Sequence, residues 1–328
     1  MVPCAIEPTT SSWPPPPPSG PRCGGLVCSP MLLSNRPRLL ALLLAGLCGC
    51  AATPPRPPVA PTAVVIGQSI TIASKVLGET RRINIYMPPG YDTGDLRYPV
   101  LYMPDGGIHE DFHHITGIVQ VSTANGTMRP FLVVGIENTE RRRDLTGPTE
   151  VAADRKIAPR VGGSAQFRRF LREELMPAVR KRYRTSDETA IVGESLAGLF
   201  VLETFFLDPE LFDTYISVDP SVWWNAESLG RNAIARLERF GTQRKTLYLT
   251  TSDVKEMQEG TQRIAEALRQ VAPEGLRWQY EPMPNEHHST IFHGAALRAF
   301  RAVFAPAGAD TGAAATPPSA PPPSAAAP

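Results

Sequence analysis

The chain has 328 residues and a formal net charge of +1. That balance excludes a nucleic-acid binder, which needs a pronounced basic excess. Proline is over-used, at 35 residues, and gathers at Pro14–Pro18, Pro54–Pro61 and Pro317–Pro328, segments that cannot bury a core.

In chain order, residues 1–30 have no periodicity and read as an upstream extension from a misplaced start. From Met31 the pattern is that of an export signal: basic residues up to Arg38, an apolar run from Leu39 to Leu47, then small residues. The apolar run is too short to span a bilayer. Leu47-Cys48-Gly49-Cys50 resembles a lipobox with Cys50 as the lipidated residue, although cysteine is unusual at its second position. Cleavage near Ala51-Ala52 is the alternative. The expected organisation is a signal at 31–50, a Pro-rich tether at 51–62, a catalytic domain at 63–305 and an Ala/Pro-rich tail at 306–328. The expected location is the periplasm or the outer membrane, with membrane contact only through lipid on Cys50. Cys4, Cys23, Cys28, Cys48 and Cys50 all precede the catalytic region, which removes thiolate nucleophiles, thiolate metal sites and disulfides from it.

Within 63–305, strands are predicted near 65–76, 81–87, 99–103, 131–137, 188–193, 213–219, 245–251 and 276–281. Helices are predicted near 112–125, 164–183, 196–207, 259–271 and 290–304. The first two strands adjoin at Gly78-Glu79 and read as a hairpin. The alternation that follows implies an α/β fold, with a mainly parallel sheet covered by helices on both faces. Ligands in such sheets sit at the carboxyl ends of the strands.

Ala190-Ile191-Val192-Gly193-Glu194-Ser195-Leu196-Ala197-Gly198 carries the chemistry. A β-branched run ends in glycine, a serine follows, and a helical pattern begins. Such a turn strains the serine backbone and projects its hydroxyl above the sheet, so the residues two before and two after must be small. Gly193 and Ala197 meet that demand. A serine hydroxyl needs a base, and the base needs an orienting acid. Both are expected downstream of the nucleophile, acid before histidine. Asp253 follows the predicted strand Lys245–Thr251, and His287-His288 follow the predicted strand Leu276–Glu281. Asp219 and Glu256 are the rival acids, and either histidine is an acceptable base. Leu196, directly after the nucleophile, is expected to supply one oxyanion-hole N–H. This chemistry needs no cofactor or metal, and none is expected. His109, His113 and His114 form only a faint metal-like pattern.

The region from Ser69 to Phe304 resembles the esterase D-like branch of the α/β-hydrolases. The resemblance rests on Arg82-Ile-Asn-Ile-Tyr-Met-Pro-Pro-Gly-Tyr91, Tyr98-Pro-Val-Leu-Tyr-Met-Pro-Asp-Gly106, Val133-Val-Gly-Ile-Glu-Asn138 and Arg143-Asp-Leu-Thr146. It rests also on Gly193-Glu-Ser-Leu-Ala-Gly198, Asp219-Pro-Ser-Val-Trp-Trp224 and His288-Ser-Thr-Ile-Phe-His293. Within that branch the chain looks most like the siderophore-esterase subgroup. The resemblance implies the α/β-hydrolase fold and hydrolysis of a small-molecule ester. It assigns His288 as base, from the spacing of Glu286, His288 and His293, and Gly106 as the second oxyanion donor, with Gly107 next. The expected set is therefore Ser195, His288 and Asp253, with Leu196 and Gly106 at the oxyanion. Acyl transfer of the mycolyltransferase type is the alternative activity. A catalytically inactive tethered binding protein is the alternative from another class. Trp223-Trp224 are open between core packing and an acyl pocket. Arg141–Arg143 read as a solvated charge run, with contact to an anionic substrate as the alternative.

Overall fold

A computed structural model of the chain describes residues 61–306. The expected leader, lipid-anchor site and tether, and the tail beyond 306, lie outside the described residues. Eight strands form one sheet: β1 (Gly67–Ser74), β2 (Glu79–Tyr86), β3 (Tyr98–Pro104), β4 (Leu132–Ile136), β5 (Thr185–Glu194), β6 (Thr214–Val218), β7 (Lys245–Thr251) and β8 (Leu276–Pro282). Their spatial order is β1-β2-β4-β3-β5-β6-β7-β8. β1 and β2 pair antiparallel as the expected hairpin, β2 pairs antiparallel with β4, and β3 to β8 are parallel. The hairpin turn closes through Gly78, whose φ of 69° suits glycine. This is the mostly parallel, helix-covered sheet of an α/β-hydrolase.

The helices are α1 (Phe112–Ala124), α2 (Arg141–Leu145), α3 (Ser164–Phe170), α4 (Met176–Arg182), α5 (Leu196–Leu207), α6 (Trp224–Arg231), α7 (Ala233–Leu237), α8 (Lys255–Val271) and α9 (Ile291–Val303). A π-helical segment, Leu171–Leu175, joins α3 to α4. The period-2 alternation of the strands sorts their side chains into two cores. Val100, Tyr102, Leu132, Val134 and Ile191 face one layer, with Phe167, Phe200 and Ile264 from the helices. Leu101, Met103, Val133, Ala190 and Val192 face the other, with Ile115 and Val119 of α1 and Phe300 of α9. α5 is buried from Leu196 to Phe206 without a break. A helix enclosed on every side is apolar almost throughout, its buried Glu203 being paired with Arg168, and this one begins directly after Ser195.

Strand direction fixes which end of the sheet is which. Glu194, Val218 and Thr251 end β5, β6 and β7 on one rim. At the opposite rim the start of β1 lies beside the start of β4, through Gly67 paired to Tyr86 and Tyr86 paired to Val133. The end of α9 reaches the same rim, where the Phe304 carbonyl accepts the Arg129 N–H at 2.9 Å.

Candidate active site

β5 delivers Ser195 and α5 begins directly after it. Ser195 has φ 62° and ψ −119°, a left-handed conformation that is costly for a residue with a Cβ. The turn is held on both sides: the Ser195 N–H donates to the Val218 carbonyl at 3.1 Å, and the Ser195 carbonyl accepts from the Ser221 N–H at 3.0 Å. A Cβ on Gly193 would lie 2.7 Å from that of Ala197, so glycine at the first place makes room for alanine at the second. A Cβ on Gly198 would meet the Val218 carbonyl oxygen at 2.8 Å, so this glycine lets α5 approach β6.

The loop after β8 brings His288 to the serine. His288 Nε2 is 3.1 Å from Ser195 Oγ, and Nδ1 is 2.6 Å from Asp219 Oδ2. With the Nδ1 proton on the Asp219 bond, Nε2 is free to accept from the serine hydroxyl. Asp219 is fully buried at the end of β6, in a left-handed conformation with φ 42°. Its Oδ1 accepts the Ser252 N–H at 2.8 Å and its Oδ2 the Ser252 hydroxyl at 2.6 Å. The Asp219 bond is the main influence raising the His288 pKa above its ordinary 6.5. Burial opposes it, and the nearby Glu194 and Asp219 charges reinforce it.

Asp253 is not the partner of His288. It binds the Nδ1 of the neighbouring His287 at 2.6 Å, in a largely exposed pair at the rim. The chain turns inward at Ser252, one residue after β7, so Ser252 braces Asp219 while Asp253 points outward. Of the two rival acids, Asp219 is the one that meets His288, and Glu256 lies in the first turn of α8.

Gly106 is not free as an oxyanion donor either. Its N–H donates to the Ile136 carbonyl at 3.0 Å. The glycine is there for packing: a Cβ would sit 2.2 Å from the Cα of Gly135 on β4. The Gly107 N–H goes to the Glu110 carboxylate at 2.6 Å. Leu196 opens α5, where a first-turn N–H has no intrahelical partner.

Two further groups border the site. Arg141 on α2 grips Asp105 with two bonds of 2.7 Å. Arg143 is held by Glu79 and Asp144, while Arg142 is exposed and bonds the Ile157 carbonyl. With Glu140, Ala158, Pro159 and Arg160 they line a cavity of about 550 Å³. So only Arg142 of the three fits a solvated run. Trp224 belongs to the core, with its indole N–H on the Gly147 carbonyl at 2.9 Å, whereas Trp223 is half-buried. Among the described residues no group of three or more His, Cys, Asp or Glu is arranged to hold a metal ion. His114 Nε2 lies 3.0 Å from His293 Nδ1.

Comparison with known proteins agrees with this architecture. The model of the family described as Putative esterase matches residues 74–301. The chain belongs to that family. It is 27% identical over 255 residues to the ferri-bacillibactin esterase BesA of Bacillus subtilis, covering 70% of this chain and 87% of the relative. An IroE-like serine hydrolase from Shewanella oneidensis superposes with a TM-score of 0.67 at 28% identity, covering 73% of this chain and 80% of that one. The BES protein from Bacillus cereus superposes with a TM-score of 0.64 at 24% identity, covering 74% and 97%. The chain is thus an esterase, and it is similar to siderophore esterases.

Proposed function

We propose that this esterase cleaves carboxylic esters through an acyl-enzyme built on Ser195, His288 and Asp219. The continuous path Asp219 Oδ2, His288 Nδ1, His288 Nε2 and Ser195 Oγ carries the reading. His288 takes the Ser195 proton as the hydroxyl attacks the ester carbonyl. Asp219, desolvated and braced by Ser252, holds the imidazole in one tautomer and stabilises the imidazolium. The Leu196 N–H donates to the oxyanion. The imidazolium then protonates the leaving alcohol, and water activated by the same base releases the acid. Siderophore-type esters are the proposed substrates, supported by the esterase named for ferri-bacillibactin among the relatives.

A fluorophosphonate probe tests the nucleophile. It should label wild type on Ser195 and leave Ser195→Ala unlabelled. Equal labelling of both proteins overturns the reading. We further propose that the chain is exported and anchored through lipid on Cys50, supported by the signal pattern from Met31 and the Pro-rich stretch after Cys50. Mass spectrometry of the mature N-terminus tests this, and an unmodified terminus beyond Cys50 refutes the anchor.

A further inference from the structure

Glu194 is the last residue of β5, one position before the nucleophile, and the mechanism above does not use it. Its Oε1 lies 3.5 Å from His288 Nδ1, the nitrogen that Asp219 also holds. Its side chain is only 18% exposed. Four charged groups face it from the surrounding elements: His288 from the loop after β8, Arg141 on α2, Asp111 at the start of α1 and Asp219 after β6. His288 and Arg141 favour its ionised form, while Asp111 and Asp219 oppose it. A carboxyl group is costly to enclose among other acids unless a cation shares its charge. The one cation here that forms and disappears during the proposed reaction is the His288 imidazolium.

We propose that Glu194 is a positioning residue for His288: a second carboxyl group at the Nδ1 edge of the imidazole that stabilises the imidazolium together with Asp219. The division of labour follows from the distances. At 2.6 Å Asp219 takes the Nδ1 proton and fixes the tautomer. At 3.5 Å Glu194 is beyond a good hydrogen bond and acts by charge. Burial raises the Glu194 pKa to about 7, far above the usual carboxylate range and into the range where histidines ordinarily titrate. Two groups this close share their protons, so the acid limb of the rate profile belongs to the pair. Above that range Glu194 is an anion and strengthens the hold on the His288 proton. Below it the group is neutral and the hold is Asp219's alone.

The proposal rests on the Ser195–His288–Asp219 reading. The test is the pH profile of kcat/KM for Glu194→Gln, which keeps shape and removes charge, and for Glu194→Asp, which keeps charge. The acid limb should move to lower pH in the Gln variant and stay closer to wild type in the Asp variant. In an Asp219→Asn background, Glu194→Gln should cost about threefold or more beyond its cost in wild type. An unmoved acid limb in Glu194→Gln overturns the proposal. If that variant fails to fold, nitrogen-15 NMR of His288 in the wild-type protein decides. Two inflections are expected, its own and that of Glu194, and a single inflection overturns the idea. Ser195→Ala run in parallel separates the two readings. Full activity there sinks the catalytic assignment, while the NMR titration still reports whether His288 and Glu194 are coupled.

Discussion

His287 and His288 are adjacent in sequence and differ in everything else. His288 faces the serine and a buried carboxylate, whereas His287 and Asp253 form an exposed pair. Substituting the two pairs should therefore give opposite outcomes. Asp219→Asn should lower kcat by about four orders of magnitude, through loss of the tautomer lock, and Asp253→Asn should stay within about threefold of wild type, as an exposed ion pair contributes little. His288→Ala should abolish turnover and His287→Ala should not. Steady-state kinetics on one activated ester checks all four, and a collapse confined to Asp253→Asn would restore Asp253 as the acid. Ser195→Ala should lose about three orders of magnitude or more in kcat while remaining folded. The pH dependence carries a sign. His288 binds its proton more tightly in the folded protein than at the ordinary 6.5. The base is neutral only above its own pKa, so the acid limb of kcat/KM should lie above 6.5, and a limb below it would contradict the Asp219 contact. By linkage, the stability gained from protonated His288 is fully present below 6.5 and is lost as pH rises through the folded value.

At the scale of elements, the turn from β5 to α5 depends on close backbone approach. Gly198→Val should push α5 away from β6, lowering both stability and kcat. The stability loss should be about 1–3 kcal/mol in urea unfolding, the usual cost of overpacking. An unchanged midpoint would show that the contact relaxes freely. All eight strands were legible in the sequence, as were α1, α5, α8, α9 and the continuous helical stretch from α3 to α4, because their apolar runs or faces stand out from the turn residues around them. α2 and α7, with five residues each, and α6, with a left-handed stretch at Asn225–Glu227, are too short or too irregular to leave that signature. The site was legible where local rules act, at the strained Ser195 and its small neighbours. Choosing Asp219 over Asp253 turns on whether the chain points inward at 252 or at 253, a tertiary fact. Gly106 misled for a similar reason, since a glycine needed for packing against Gly135 looks in sequence like one needed for a donor. Glu194 left no signal in spacing, because its relation to His288 exists only across the folded sheet.

Across the whole described unit, a buried ionic knot ties the hairpin to the α2 segment. Arg81 is fully buried and bonds Asp144 at 2.6 Å and Glu79 at 2.8 Å, while Arg143 bonds both acids. Burial alone would raise the Glu79 pKa, but the bonds from Arg143, Arg81 and Thr139 outweigh it and hold the carboxyl at about 2, below its ordinary 4.5. Its contribution to stability is therefore present above 4.5 and lost as pH falls toward 2. Glu79→Gln should flatten that part of the acid-unfolding curve, and an unaltered curve would assign the loss to other groups. Breaking the knot from the other side, by Arg81→Ala, should be more severe, because it leaves the buried Asp144 with Arg143 as its one remaining cation and opens a hole where a fully buried side chain stood.

The start of β1 and the end of α9 share the rim opposite Ser195, so both ends of the described unit sit at its foot and its mouth opens the other way. A surface that holds the protein by either end would present the mouth to the solution, like a lamp fixed by its base. Beads coupled through a residue at either end of the described span 61–306 should thus retain the kcat/KM of the free enzyme. The catalytic region has no cysteine of its own, so coupling through Ile108→Cys, at an exposed position just beyond the end of β3, would instead turn the mouth toward the bead and slow access of large esters more than small ones.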